Sequence, residues 1–126
     1  MLQAAILINR LRLKSVRSER RSRTGSLVSS VLEYINSHFS EELTLDNLAG
    51  RFFISKYHLS HAFSREVGVS AYRYIMLRRL MLARQLLLAG EPAGQVCRNC
   101  GFSDYTSFYR AFKSEYGISP RELTQA

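Results

Sequence analysis

The sequence predicts an all-α fold on three observations. From Ser26 onward, apolar residues recur three and four positions apart, and no stretch alternates with strand period for long. Serine or threonine precedes several of these periodic segments and glycine follows several of them, as at the two ends of helices. Hydrophobic residues make up 46% of the 126 residues, which is enough for a packed core.

Three helices are predicted in the first part of the periodic region. The first begins near Ser26, and its apolar residues share one face: Leu27, Val28, Val31, Leu32, Ile35 and Phe39. The second lies within 41–50 and starts near Thr44. Ser55 caps the third, and Gly68 ends it.

Four further helices are predicted, which makes seven. A long one covers 70–89 and ends at Gly90 and Pro92. The fifth runs from about 92 to 99, and the sixth runs from about 104 to 116 and ends at Gly117. The seventh begins in the segment SPRE, 119–122, where a capping box and a proline at the first helical position agree.

Residues 1–25 differ from this pattern. The pattern of residues 1–14 predicts a short amphipathic helix, with no other segment evident against which its apolar face would pack. The apolar stretch in this segment is too short for a signal peptide. Residues 15–25 have almost no apolar side chains, which is typical of a solvated linker. We therefore divide the chain into 1–25 and a folded domain, 26–126.

The net charge of +8 suits an anionic partner such as nucleic acid, but its distribution weakens that argument. Residues 1–24 hold seven basic residues and one acidic residue, whereas residues 25–126 hold eleven basic and nine acidic residues. Charge alone therefore does not distinguish a DNA-binding domain from a soluble domain that carries a basic tail.

No catalytic, metal or cofactor site is predicted. A single CxxC motif is formed by Cys97 and Cys100. A zinc site would need two more ligands at suitable spacing, and the three histidines do not supply them: His38, His58 and His61. Packing of the two cysteines in the core is therefore favoured over a metal or redox role. Two cysteines are too few for a disulfide framework, which indicates a reducing, cytoplasmic compartment. No apolar run is long enough to span a bilayer, so no membrane association is expected.

Two segments, 59–71 and 108–120, repeat each other at an offset of 49. Five residues are identical: Ala62, Phe63, Glu66, Gly68 and Ser70 match Ala111, Phe112, Glu115, Gly117 and Ser119. Upstream, Leu48 and Ala49 match Val96 and Cys97 at an offset of 48. The chain is therefore predicted to contain one helix-turn-helix unit twice, in 26–69 and 90–126, joined by the helix 70–89. That helix spans about 30 Å, close to the roughly 34 Å of one turn of B-DNA.

These motifs, above all the run GFSDYTSFYRAFKSEYGISPREL in 101–123, resemble the DNA-binding domain of AraC/XylS-type transcription regulators. The resemblance covers about 27–123 and implies two homeodomain-like helix-turn-helix units whose third and sixth helices read double-stranded DNA. By position it places six residues at base edges: Tyr57, Ser60, His61, Thr106, Tyr109 and Arg110. It places six others near the DNA backbone: Ser55, Lys56, Arg65, Tyr105, Ser107 and Lys113.

The resemblance also implies a larger protein. Full-length members usually carry an N-terminal sensor that binds a small-molecule effector, so we expect 1–14 to be the end of such a sensor and the chain to be a fragment. RNA polymerase is the expected partner of the full regulator, which in this family is most often an activator. The competing interpretation is an all-α protein-interaction module; an enzyme is disfavoured, because no catalytic constellation is present.

Three further expectations concern packing. A set of aromatic residues is predicted to lie mostly in the core: Phe52, Phe53, Phe63, Tyr72, Tyr74, Phe102, Phe108 and Phe112. Arg78, Arg79 and Arg84 are expected to be solvated or to form ion pairs with Glu33, Glu41 or Glu42, and contact with DNA is the competing interpretation. The resemblance gives Arg79 a position that is usually structural. The family that the chain resembles usually has a large aliphatic residue where Ala93 lies, and Gly94 inside the fifth helix should cost about 1 kcal/mol relative to alanine, so the second unit is expected to be the less rigid one.

Overall fold

The computed structural model describes residues 23–125, which form seven α-helices and no strand. The helices are α1 Arg23–His38, α2 Leu45–Arg51, α3 Lys56–Val67, α4 Ala71–Leu88, α5 Ala93–Asn99, α6 Tyr105–Tyr116 and α7 Pro120–Gln125. The predicted all-α class and the order of the helices are confirmed.

The predicted helix boundaries rest on the expected capping residues. The hydroxyl of Thr44 accepts from the Asn47 N–H at 3.0 Å, and the Asn47 side chain accepts from the Thr44 N–H at 3.1 Å. The hydroxyl of Ser55 accepts from the His58 N–H at 3.0 Å and thereby caps α3. These bonds satisfy N–H groups that a helix leaves without an internal partner, so each helix starts within about a turn of its predicted position.

The apolar side chains form two cores that share α4. The first core joins α1, α2 and α3 to the first half of α4, and the second joins the rest of α4 to α5, α6 and α7. On α4, Tyr74 and Leu77 belong to the first core, whereas Leu80 and Leu87 belong to the second. This division agrees with the predicted repeat, in which α4 links two similar units.

Two of the aromatic residues predicted for the core are exposed. Phe53 is 93% exposed, because it lies in the turn between α2 and α3 with a φ of 55° and its side chain points away from both helices. Tyr72 is 73% exposed, because its neighbours Ala71 and Tyr74 occupy the inner side of the first turn of α4. For these two residues the sequence prediction was wrong, and Phe52 is only half-buried.

The first helix starts earlier than predicted. Residues 23–25, which were assigned to the linker, are helical, and Gly25 is buried. The predicted helix in 1–14 lies outside the described residues. None of the helices between residues 23 and 125 combines the length and the apolar character needed to cross a lipid bilayer.

Arg79 connects α4 to the turn that follows α1. Its Nε donates to the carbonyl oxygen of Phe39 at 2.6 Å, and its Nη2 donates to the carbonyl oxygen of Glu41 at 2.9 Å. Arg79 thus satisfies two backbone carbonyls at the end of a helix instead of pairing with a carboxylate, in line with the structural position that the resemblance gives it.

The turn between α5 and α6 packs against the same segment. Gly101 has a φ of 96°, and a Cβ at this position would lie 2.7 Å from the carbonyl oxygen of Ser40. Only glycine permits this approach, because it has no Cβ and adopts a positive φ without steric cost. The second helix-turn-helix unit thus touches the first through backbone atoms.

Candidate nucleic-acid interface

The first recognition helix, α3, divides cleanly into a buried and an exposed face. Leu59, Ala62, Phe63 and Val67 are buried in the first core. The side away from these residues carries the exposed Tyr57, His61, Ser64 and Arg65, while Ser60 is half-buried at its edge. Lys56 and His58, in the first turn, are exposed as well. The structure therefore brings the predicted residues Tyr57 and His61 onto one exposed face, with Ser60 beside it.

Tyr57 and His61 form a pair at the centre of this face. Their ring centroids lie 3.9 Å apart, and Nδ1 of His61 lies 2.9 Å from the carbonyl oxygen of Tyr57. Because a carbonyl oxygen can only accept, the hydrogen bond requires the proton on Nδ1. Nε2 of a neutral His61 is then an acceptor directed away from the helix backbone, suited to an amino group on a base edge.

The lysine at the start of α3 forms an ion pair within the protein. Lys56 Nζ lies 3.5 Å from Asp46 Oδ1 on α2, and both side chains are largely exposed. Exposed ion pairs of this kind contribute only about 0–1 kcal/mol, so a phosphate can displace Asp46 at little cost. Arg65, in the last turn of α3, is exposed.

The second recognition helix, α6, repeats this arrangement. Phe108, Phe112 and Tyr116 are buried, and one exposed face carries Thr106, Arg110 and Lys113 at positions i, i+4 and i+7. Tyr109 lies at the edge of that face, and Lys113 Nζ lies 5.9 Å from the centre of its ring. The three residues of α6 that are predicted to contact base edges, Thr106, Tyr109 and Arg110, thus lie on one surface.

Two residues predicted near the DNA backbone are already engaged within the protein. The Asp104 carboxylate caps α6 by accepting from the Ser107 N–H at 2.8 Å and from the Ser107 hydroxyl at 3.0 Å. The hydrogen bond from the Ser107 N–H contributes most to lowering the pKa of Asp104 below its ordinary value, and the bond from the Ser107 hydroxyl adds to this effect. The Ser107 hydroxyl therefore lies beside a negative charge, which disfavours a direct contact with phosphate.

Tyr105 is also placed differently from the expectation. Its ring packs against Phe108, with centroids 5.7 Å apart, and its hydroxyl is buried without a hydrogen-bond partner among the described residues. The guanidinium of Arg121 on α7 lies 5.7 Å from the ring centre. In this conformation the residue supports the helix and does not present its hydroxyl at the surface.

Sequence reasoning missed exposed polar residues on α3. His58 and Ser64 lie on its exposed side, and neither was selected. The repeat could have identified Ser64, because at the offset of 49 it corresponds to Lys113, which was predicted to lie near the DNA backbone.

The geometry describes two similar helix-turn-helix units, each with one polar, exposed recognition helix, as in DNA-binding domains of transcription regulators. A model of the helix-turn-helix domain family matches residues 48–126. The HTH-type transcriptional activator RhaS of Escherichia coli O139:H28 is 33% identical over 113 residues, which cover 89% of this chain and 41% of that protein. The chain thus spans less than half the length of the curated relatives that it matches.

Solved structures share the fold. The C-terminal domain of AraT, a response regulator from Geobacillus stearothermophilus, superposes with a TM-score of 0.77 at 30% identity and covers 82% of this chain and 88% of its own. A probable AraC family transcriptional regulator from Rhodopseudomonas palustris CGA009 superposes with a TM-score of 0.70 at 29% identity, over 79% of this chain and 95% of that chain. The DNA-binding domain of AdpA, solved with a target DNA, superposes with a TM-score of 0.73 at 21% identity, over 78% of this chain and 89% of that chain. This likeness shows the fold alone. The chain belongs to the AraC/XylS-type helix-turn-helix DNA-binding domains.

Proposed function

We propose that this domain reads a bipartite site on double-stranded DNA by inserting α3 and α6 into successive major grooves. The observation that carries the proposal is the repeat of one arrangement: each unit packs the apolar side of its recognition helix into its own core and exposes polar side chains on the other. α4 has 18 residues and thus a length of about 27 Å, of the order of one turn of B-DNA.

The exposed side chains suit the reading of base edges. Arg110 can donate two parallel hydrogen bonds to guanine, the commonest specific contact in the major groove. On α3, the Nε2 of His61 accepts from an amino group of adenine or cytosine, and Tyr57 adds a hydroxyl. Thr106 supplies a further hydroxyl on the face of α6, and Tyr109 and Ser60 supply hydroxyls at the edges of the two faces.

Contacts with phosphate would position the domain without reading sequence. Lys113 and Arg65 are exposed and cationic, and Lys56 is available once Asp46 is displaced. The Ser55 hydroxyl accepts from the His58 N–H and retains its own hydrogen for a phosphate oxygen.

The proposal extends to the protein that contains this domain. The name of the relative RhaS supports an activator, which would recruit RNA polymerase. A small-molecule effector would act through a sensor domain outside the described residues. We further propose that the protein works in the cytoplasm and is not an enzyme, since the family is one of DNA-binding regulators.

Two substitutions on α6 test the proposal. Arg110→Ala should lose about 1–3 kcal/mol of binding to the specific site and relax the preference for one base pair. Lys113→Ala should weaken binding to all sequences alike and reduce the salt dependence of the affinity. Arg98→Ala, which removes an exposed charge from α5 outside the recognition helices, is the control. Unchanged affinity in both α6 variants would contradict the role of α6.

A further inference from the structure

One ion pair ties the second recognition helix to the first half of the connecting helix α4, which packs in the first core. Nη2 of Arg73 lies 2.9 Å from Oε2 of Glu115. Arg73 is in the first turn of α4, on the half of that helix whose apolar side chains belong to the first core. Glu115 is in the last turn of α6, in the second unit.

The environment of the pair makes it costlier to break than an ordinary surface contact. The side chain of Glu115 is only 12% exposed, whereas that of Arg73 is 49% exposed. Water and salt screen a largely buried carboxylate less than an exposed one. Without Arg73, the Glu115 charge would be left largely buried and without its partner, and a shift of the end of α6 toward solvent would relieve that cost.

The other end of α6 is held by the first unit itself. Gly101, three residues before the capping residue Asp104, packs directly against the backbone of Ser40. Contacts near both ends determine the direction of a helix as well as its position. α6 is therefore oriented relative to α3 by more than the covalent connection through α4.

We propose that the Arg73–Glu115 ion pair sets the spacing between the two half-sites that the domain accepts. The inference rests on the proposed function, because spacing matters only if both helices enter the same duplex. Recognition helices held in one orientation fit grooves at one separation, whereas a loosened α6 accepts neighbouring separations. Arg73 and Glu115 are thus positioning residues that determine specificity without touching a base.

The test uses duplexes that carry the two half-sites at the preferred spacing and at spacings one base pair longer and shorter. The wild-type domain should favour one spacing by about tenfold, equivalent to 1.4 kcal/mol. Arg73→Ala and Arg73→Glu should reduce this preference several-fold, while affinity for a duplex with a single half-site changes less than twofold. Arg73→Lys should retain most of the preference, and the swap Arg73→Glu with Glu115→Arg should restore it.

Asp46→Asn is the matched control, because it removes the ion pair with Lys56 within the first unit and should leave the spacing preference unchanged. Thermal unfolding of each variant shows that it is folded. Wild-type binding to one half-site only would contradict the proposed two-groove function. Bipartite binding whose spacing preference is the same in Arg73→Glu and the wild type would overturn the role of the ion pair alone.

Discussion

Phe53 and Gly101 occupy equivalent positions in the two helix-turn-helix turns, and both have a left-handed backbone, with φ of 55° and 96°. The offset of 48 residues between them is the one that relates Leu48 to Val96. Glycine adopts this conformation freely, whereas a side chain with a Cβ meets the neighbouring carbonyl group. Phe53 gains no burial in return, since its side chain is 93% exposed.

Replacement of Phe53 by a residue that tolerates positive φ should stabilise the domain. Phe53→Asn is expected to raise the free energy of unfolding by about 0.5–1 kcal/mol, because asparagine enters the left-handed region more readily. Phe53→Val should lower it, because β-branched residues are rarest there. Urea denaturation of the three proteins measures both changes, and equal stabilities would show that the turn is not strained.

Gly101 should be far less tolerant than another glycine with the same backbone conformation. Gly101→Ala adds a Cβ 2.7 Å from the carbonyl oxygen of Ser40, so the turn must shift, and we expect a loss of about 2–3 kcal/mol. Gly117 has a φ of 80° with open space around it, so Gly117→Ala should cost only about 1 kcal/mol. Chemical denaturation compares the two, and equal losses would contradict the contact between the units.

Arg79 should be essential for the stability of the junction. Arg79→Ala leaves the carbonyl groups of Phe39 and Glu41 without their donor, and we expect a loss of about 2–3 kcal/mol. Arg79→Lys should fall between the wild type and Arg79→Ala, because an ammonium group cannot reproduce the geometry of the guanidinium fork. A fully stable Arg79→Ala variant in thermal and urea unfolding would show that these bonds are dispensable.

Asp104 should make α6 sensitive to acid. Hydrogen bonds from Ser107 lower its pKa in the folded state, so the stabilisation is present above the ordinary value of 3.8 and is lost as the pH falls through the lowered pKa. Asp104→Asn retains a capping side chain but does not titrate. The difference in stability between the wild type and this variant should therefore be constant above about pH 5 and should shrink below about pH 4. A constant difference down to pH 2 would contradict this role.

The two cysteines should be inert in the folded protein. Both are buried, and burial raises the pKa of Cys97 and raises that of Cys100 to about 12. Since the thiolate is the reactive form, a thiol reagent at pH 8 should label neither residue until guanidinium unfolds the domain. Rapid labelling under native conditions would instead support a redox role for the CxxC.

The fold was largely predictable because its signals are local. The spacing of Leu59, Phe63 and Val67, the caps at Thr44 and Ser55, and the repeat of Phe63 as Phe112 depend on residues within one or two turns of a helix or on the sequence compared with itself. The exposed faces of α3 and α6 follow from the same periodicity.

The contacts between the units were not predictable in this way. Arg73 and Glu115 are 42 residues apart, and Arg79 binds carbonyl groups, which carry no sequence signal at all. The buried hydroxyl of Tyr105 likewise depends on how α7 packs against α6. Such features arise only when the units are assembled, and they concern the relative placement of the recognition helices.

Selection of bound sites from a pool of random duplexes shows whether both helices read DNA. If α3 and α6 both read DNA, the selected sequences will contain two short conserved half-sites with centres about 10–11 base pairs apart. Arg110→Ala should relax the preference at one base pair of one half-site, and His61→Ala should do so at one base pair of the other. A single short conserved site, changed by only one of these substitutions, would show that only one of the two helices reads DNA.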